Sequence, residues 1–129
     1  MTKDIAGKLR KYAQLTVKRA LIQTQAELSS TAVSPRDTGR FRSNWFASSS
    51  SPSSETTEST DSPQTDAQSL ELDYNKKYYL TNNLPYAEGL CYGGKAVSQP
   101  KNWYPTFING RIPKIVEEAS AKAEKEAGL

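Results

Sequence analysis

The chain has 129 residues, an apolar fraction of 36%, a formal net charge of +3, one cysteine and no histidine. This length predicts a single domain over residues 1–129, and the apolar fraction indicates that part of the chain lies outside the core or that partners complete its burial. The single Cys91 excludes an internal disulfide framework. Neither a membrane-spanning helix nor a secretory signal is expected.

A long helix is predicted over residues 2–30. Apolar residues recur there at three- and four-residue spacing, which is the pattern of one apolar face. We expect this face to pack on the rest of the domain, while Leu15 and Ile22 lie off it. The face consists of Ile5, Leu9, Tyr12, Ala13, Val17, Ala20, Leu21 and Leu28.

Turn-forming residues at 34–39 end this helix, and residues 40–46 predict a short turn that runs into a strand. The next stretch is rich in Ser, Thr and Pro, and residues 51–68 within it have almost no apolar side chain to bury. We interpret 51–68 as a long loop or an extended hairpin that serves a partner or is mobile. Residues 66–74 allow one short helical turn around Leu70 and Leu72.

Residues 77–83 predict the clearest strand, which ends at Pro85 because proline cannot donate to a ladder. A second helix closes the chain, with a kink or restart at residues 110–113 because of Gly110 and Pro113, and with its end at Gly128. Its predicted apolar face consists of Ile108, Ile112, Ile115, Val116, Ala119 and Ala123. Together these elements predict an α+β fold in which two helices pack on a small antiparallel sheet.

The charge is distributed unevenly. Residues 1–30 carry six basic and two acidic side chains, whereas residues 52–75 carry six acidic and no basic ones. This polarity suits charge-matched protein surfaces or contact with passing DNA, and it is equally typical of solvated faces. The candidate DNA-facing residues are Lys8, Lys11 and Lys18.

Arginines and aromatic residues alternate in the segment from Arg36 to Trp45, which includes Arg40, Phe41 and Arg42. Single-strand nucleic-acid binders combine these residue types. The same aromatic side chains also suit a small core, and the arginines can equally pair with acidic neighbours. Both interpretations stay open.

The sequence offers little for catalysis. The absence of histidine removes the commonest general base and metal ligand, and Cys91 is expected to be buried and inert. The acidic residues lack the ligand spacing of a calcium loop, and no phosphate-binding loop or nucleophile elbow is present. We therefore expect no enzyme activity, no metal and no cofactor.

Three motifs occur in a fixed order. The segment 37–45 reads DTGRFRSNW, the segment 82–87 reads NNLPYA, and the segment 90–93 reads LCYG before the C-terminal helix. This order resembles the head–tail joining or tail completion proteins of tailed bacteriophages, the neck family that includes the lambda-type minor tail protein Z. The resemblance covers most of the chain. It departs from the family at Cys91, where a glutamate is usual, and in the longer Ser/Thr-rich insertion.

The resemblance implies an α+β subunit that forms a ring, typically of six copies, in the neck of the virion, with assembly in the host cytoplasm. Its implied partners are further copies of the chain, portal, adaptor or stopper proteins, and the tail terminator and tail tube proteins. Nonspecific contact with passing genomic DNA is compatible with this position, and no membrane is involved. The alternatives are a tail terminator that caps the tail tube and, in a different class, a small basic DNA-binding protein.

The motif residues then take structural roles, in the core, in turns or at subunit contacts. We expect Asp37 to cap the turn that follows it, and Arg40 and Arg42 to pair with an acidic residue of the same chain or the next. Asn82 and Asn83 would finish the strand with side-chain hydrogen bonds. The full set of candidate residues is Asp37, Thr38, Gly39, Arg40, Arg42, Trp45, Asn82, Asn83, Pro85, Tyr86, Tyr92 and Gly93.

Overall fold

The computed structural model describes residues 4–30, 39–60, 63–73, 75–92 and 102–129. Its helices are α1 (Ile5–Leu28), α2 (Ala87–Tyr92), α3 (Trp103–Thr106) and α4 (Ile112–Ala127). Its strands are β1 (Trp45–Ser49) and β2 (Tyr78–Asn82), and 3₁₀ turns span Arg42–Asn44 and Asp66–Ser69. The predicted α+β class, with a long helix near each end and a small antiparallel sheet, is confirmed. None of the described helices is both long and apolar enough to cross a membrane.

The two long helices lie side by side in antiparallel directions. Near one end the ammonium of Lys8 donates to the carbonyl of Gly128 over 3.3 Å, and near the other end Arg111 contacts Glu27. The face that α4 turns toward α1 consists of one isoleucine and three alanines, and the alanines allow the helix axes to approach closely. Its fully buried members are Ile115, Ala119, Ala123 and Ala127.

The predicted apolar face of α1 is buried only toward its C-terminal end. Leu28 is buried there, whereas Ile5, Leu9 and Val17 are 58%, 51% and 39% exposed. The expectation that the whole face packs on the domain is therefore wrong. The reason is geometric, because the first half of α1 lies beside the end of α4 and a single neighbouring helix covers only one side of it.

The strands pair in antiparallel register, with Ala47 opposite Leu80 and Phe46 opposite Thr81. The core lies on the helical side of this sheet and is dominated by aromatic rings. Phe41 is fully buried and makes edge-to-face contacts with Trp45 and Trp103, at centroid distances of 5.5 and 6.2 Å. Such pairs add to the stabilisation from buried apolar area.

The C-terminal helical region is interrupted where the sequence predicts a kink. Residues Phe107–Arg111 form a π-helical turn between α3 and α4, and Pro113 stands in the first turn of α4. Proline has no N–H to donate, so the hydrogen-bond ladder is re-registered at this point. Gly128 ends the helix in the left-handed conformation, with φ of 78°.

Two local elements refine the sequence predictions. The helical turn expected within residues 66–74 is present at Asp66–Ser69, at the start of that range and just before Leu70, and Ala67 within it is buried against α1. Ala87–Tyr92, for which the sequence predicts no element, is a short helix. The predicted turn at 34–39 falls outside the described residues except for Gly39.

An ion pair fixes the end of α1 to the π-helical turn. Arg111 donates from Nε to Glu27 Oε1 over 2.8 Å and from Nη2 to Glu27 Oε2 over 2.7 Å. The side chain of Glu27 is 17% exposed. Its hydrogen bonds to the guanidinium hold the pKa of Glu27 below the ordinary value, in spite of the opposing effect of burial.

The helix pair predicts a steric effect at its centre. Ala123→Leu is expected to lower the free energy of unfolding by about 1–3 kcal/mol, because the added carbons meet α1. Ala121→Leu is the matched control, since Ala121 is exposed on the same helix, and it should change stability by less than about 0.5 kcal/mol. Urea unfolding of both variants measures the difference, and equal effects would contradict this packing.

The Glu27–Arg111 pair predicts a pH-dependent contribution to stability. A lowered pKa in the folded state stabilises the protein above the unfolded-state pKa, and this stabilisation is lost as the pH falls through the folded-state pKa. Glu27→Gln should therefore reduce the thermal midpoint at pH 7, and the deficit should shrink as the pH drops below 4.5. Glu117→Gln makes the same charge change at an exposed position of α4. A deficit that stays constant into acid would show that the ion pair is not its cause.

Candidate interaction surface

The third residue of the first motif is a glycine that its backbone conformation requires. Gly39 is buried, with φ of 89°, and a β-carbon added there would overlap the carbonyl oxygen of Thr60. Glycine reaches this backbone conformation without the steric penalty that other residues incur. The lack of a side chain at Gly39 thus allows the motif to pack against Thr60 of the Ser/Thr-rich segment. Its neighbours Asp37 and Thr38 lie outside the described residues.

Asn44 binds the backbone of the Ser/Thr-rich segment directly. Its side chain is fully buried, and its amide accepts from Thr57 N over 2.8 Å and donates to Thr57 O over 3.0 Å. The amide group thereby replaces the neighbouring strand that an extended backbone normally pairs with. A second bond from its Nδ2 to Arg40 O over 2.7 Å fixes the side chain in place.

Arg40 holds the same point of the segment from the other side. Its Nε donates to Thr57 O over 3.1 Å and its Nη2 to Glu58 Oε1 over 3.0 Å, so the structure places its acidic partner in the same chain. Arg42 forms no ion pair with an acidic residue among those described, and its Nε is buried there without a hydrogen-bond partner. The two arginines of the motif therefore have different environments.

The second motif, at the end of β2, bonds both the first motif and the Ser/Thr-rich segment. Asn82 donates to Phe41 O over 2.8 Å and accepts from Leu84 N over 3.3 Å. Asn83 donates to Ser53 O over 2.7 Å and to Glu55 O over 3.1 Å. The expected side-chain hydrogen bonds at the end of this strand are present. They also anchor the Ser/Thr-rich segment at a second place.

Sequence reasoning missed the buried amide of Gln25, which is only 2% exposed. Its Nε2 donates to Trp45 O over 3.0 Å and also bonds Asp66, and its Oε1 accepts from Ala67 N over 3.2 Å. The carboxylate of Asp66 in turn accepts from Ala47 N over 3.1 Å. The available signal was a glutamine one turn before Leu28, on the side of α1 that faces the sheet.

The third motif and the turn before it lie around the aromatic cluster. Pro85 is exposed in the turn, Tyr86 is half-buried against the core, and Tyr92 is 66% exposed with its ring edge-on to Tyr104 at 5.2 Å. Tyr86 thus packs on the core, as one of the two expected alternatives, and Tyr92 stays largely on the surface. Gly93 lies outside the described residues.

Cys91 is buried, as predicted, and burial raises the pKa of its thiol to about 11. A thiol with this pKa stays protonated at neutral pH and is a weak nucleophile. The same burial, with the neighbouring Tyr92 and Cys91, raises the pKa of Tyr104 to about 12. No group of three potential ligands among the described His, Cys, Asp and Glu residues is placed to hold a metal ion.

The candidate nucleic-acid segment is not arranged for base stacking. Phe41 and Trp45 are 0% and 4% exposed, so neither ring presents a face to solvent on which a base could stack. The three candidate DNA-facing lysines also differ in their contacts. Lys8 binds the end of α4, while Lys11 and Lys18 are exposed on α1, beside Glu71.

The exposed apolar side chains form the most distinctive surface. Val17 on α1 and Val116 on α4, the latter 43% exposed, flank a groove of about 360 Å³ whose floor includes Leu21, Leu80 and Ile112. Among the described residues, Lys76 is the one charged residue that lines it. An apolar groove with a polar rim is typical of protein interaction sites. We call this the α1–α4–β2 groove.

Comparison with models of known protein families, with curated proteins and with solved structures finds no match to this chain.

The anchoring of the Ser/Thr-rich segment predicts a local effect of Asn44→Ala. Truncation leaves the backbone N–H of Thr57 without its partner and leaves its C=O with the bond from Arg40 alone, so the free energy of unfolding should fall by about 1–3 kcal/mol. Hydrogen exchange at the Thr57 amide should accelerate by about ten-fold or more. Asn109→Ala, at an exposed position, is the matched control. Unchanged exchange at Thr57 would contradict the anchoring role of Asn44.

Proposed function

We propose that this chain is a non-catalytic structural subunit of the neck of a tailed bacteriophage, where it completes the tail and joins it to the head as part of a ring. The observation that carries the proposal is the ordered set of motifs, 37–45, 82–87 and 90–93, between two helices. Their resemblance to tail completion proteins supports both the location in the virion and the absence of chemistry.

The contacts of the motif side chains support a structural role. Arg40, Asn44, Asn82 and Asn83 all direct polar atoms to the backbone of their own chain. Polar groups used in this way stabilise a shape and are not available to bind and turn over a small substrate. The motifs thus fit a subunit whose function is its surface.

The exposed apolar residues support assembly with other subunits. Ile5, Leu9, Val17 and Val116 are each more than a third exposed, although they belong to the predicted apolar faces of α1 and α4. Burial of such side chains in an assembly would add stability that the isolated chain lacks. The proposed partners are further copies in the ring, portal, adaptor or stopper proteins on the head side, and tail terminator and tube proteins on the other.

Disruption of the gene in its phage tests the proposal, with electron microscopy of the lysate. We expect filled heads and separate tails, because the joint between them is missing. Tails of normal length would indicate completion and joining, whereas tails of uncontrolled length would indicate the alternative role of tail terminator. Infectious particles of normal appearance would contradict both roles.

Complementation gives the matched control. A plasmid copy with Val17→Lys and Val116→Lys should fail to restore joined particles, because the charges prevent burial of the groove. A copy with Glu117→Lys and Lys122→Glu, at exposed positions of α4, should restore them. Immunogold labelling then locates the subunit, and label at the neck is the expected result.

A further inference from the structure

The sheet has one closed edge and one open edge. The outer edge of β1 is closed by side chains, because Gln25 donates to Trp45 O and Asp66 accepts from Ala47 N. In an antiparallel pair successive residues point their backbone groups alternately toward and away from the partner strand. The backbone groups of Trp45 and Ala47 thus point away from β2, and those of Phe46 and Ser48 point toward it.

The strand register also shows which backbone groups of β2 face β1 and which face the outer edge. Thr81 and Tyr79 lie opposite Phe46 and Ser48, so their N–H and C=O groups bond β1. The bond from Ser50 N to Lys77 O, at 2.9 Å, continues the same alternation. The backbone of Leu80 therefore faces the outer edge. No described residue donates to it or accepts from it there.

The open edge runs beside the α1–α4–β2 groove. Leu80 and Tyr78, the residues whose backbone faces outward, also line that groove together with Val17, Leu21 and Val116. An unpaired strand edge next to unfilled apolar surface is the arrangement that strand addition uses, since main-chain bonds give affinity and the groove takes alternate side chains. A helix placed there would leave the edge groups unpaired.

The charged residues at the rim of the groove indicate the charge of the partner segment that would bind there. Lys76 lines the groove at the N-terminal end of β2, Lys77 follows it, and both are exposed. No acidic residue in the described part of the chain lines the groove. A carboxylate near this end would be favoured, and a cation would be repelled.

We propose that the outer edge of β2 is a strand-addition site for a partner protein, which inserts an extended segment with apolar residues at alternate positions and carboxylates beside Lys76 and Lys77. The five residues of β2 pair with a segment roughly 17 Å long, at about 3.4 Å per residue. This site rests on the geometry of the sheet and is independent of the role in the phage neck.

Amide hydrogen exchange of the full chain, followed by NMR, tests the site at single atoms. In dilute protein the Leu80 amide should exchange about ten-fold or more faster than those of Tyr79 and Thr81, which bond β1. Slow exchange of Leu80 in the dilute monomer would overturn the proposal, because the edge would already be covered. Protection of Leu80 that rises with protein concentration alone would also overturn it, in favour of pairing between copies.

The probe is the peptide acetyl-Thr-Val-Thr-Val-Thr-Glu-Glu-amide, at millimolar concentration, whose C-terminal glutamates meet Lys76 when it pairs antiparallel to β2. We expect it to slow exchange of Leu80 by about ten-fold, with little change at Tyr79. The same peptide with two lysines in place of the glutamates should bind more weakly. No change at Leu80 with the acidic peptide would overturn the proposal.

Two variants separate the contributions of charge and groove. Lys76→Glu should weaken the acidic peptide by about three-fold and strengthen the basic one. Val116→Lys should abolish protection by either peptide, while Glu117→Lys, at an exposed neighbouring position, leaves it intact. Equal binding of both peptides to the wild-type chain and to Lys76→Glu would refute the assigned charge of the partner.

Discussion

The buried amide of Gln25 is the contact on which the rest of the structure depends. It joins the middle of the chain to α1 at two points, Trp45 O and Ala67 N, and it also bonds Asp66. These points are the first residue of β1 and the turn at which the chain returns from the Ser/Thr-rich segment. Loss of the amide would leave several buried polar groups unpaired at once, which costs more than the loss of one hydrogen bond. This side chain therefore helps to fix the position of β1 on α1.

The Ser/Thr-rich segment is held in place by polar side chains of the motifs. Its few apolar side chains cannot offset the entropy lost on ordering, yet hydrogen bonds hold the segment between residues 53 and 58. Side-chain amides and a guanidinium supply the hydrogen bonds that a neighbouring strand would otherwise supply. The segment is therefore ordered by the polar residues of the motifs at 39–45 and 82–83, and these motifs are best understood as its attachment points.

Local pattern predicted the elements of the fold well, and it failed where the outcome depends on distant contacts. The two long helices, both strands and the interruption near Gly110 and Pro113 follow from periodicity and from the chemistry of proline. The short turn expected within residues 66–74 forms at its start, Asp66–Ser69, and local pattern does not show the contact that favours this position, since Gln25 bonds Asp66 from forty-one residues earlier in the chain. Burial of the α1 face was overestimated for a similar reason. Periodicity identifies an apolar face but gives no information about which neighbour covers it.

Around its aromatic core, this chain also buries several polar side chains and leaves several apolar ones exposed. Polar side chains such as Gln25 and Asn44 are buried and satisfied, while Val17 and Val116 remain partly in solvent. The buried amides fix the geometry of β1 and leave the edge of β2 unpaired. Since the same strand supplies Leu80 to the core and to the apolar groove, a partner that pairs with β2 would reinforce the contacts that hold the sheet on α1 and α4. Binding at this edge and stability of the subunit are therefore expected to be thermodynamically linked.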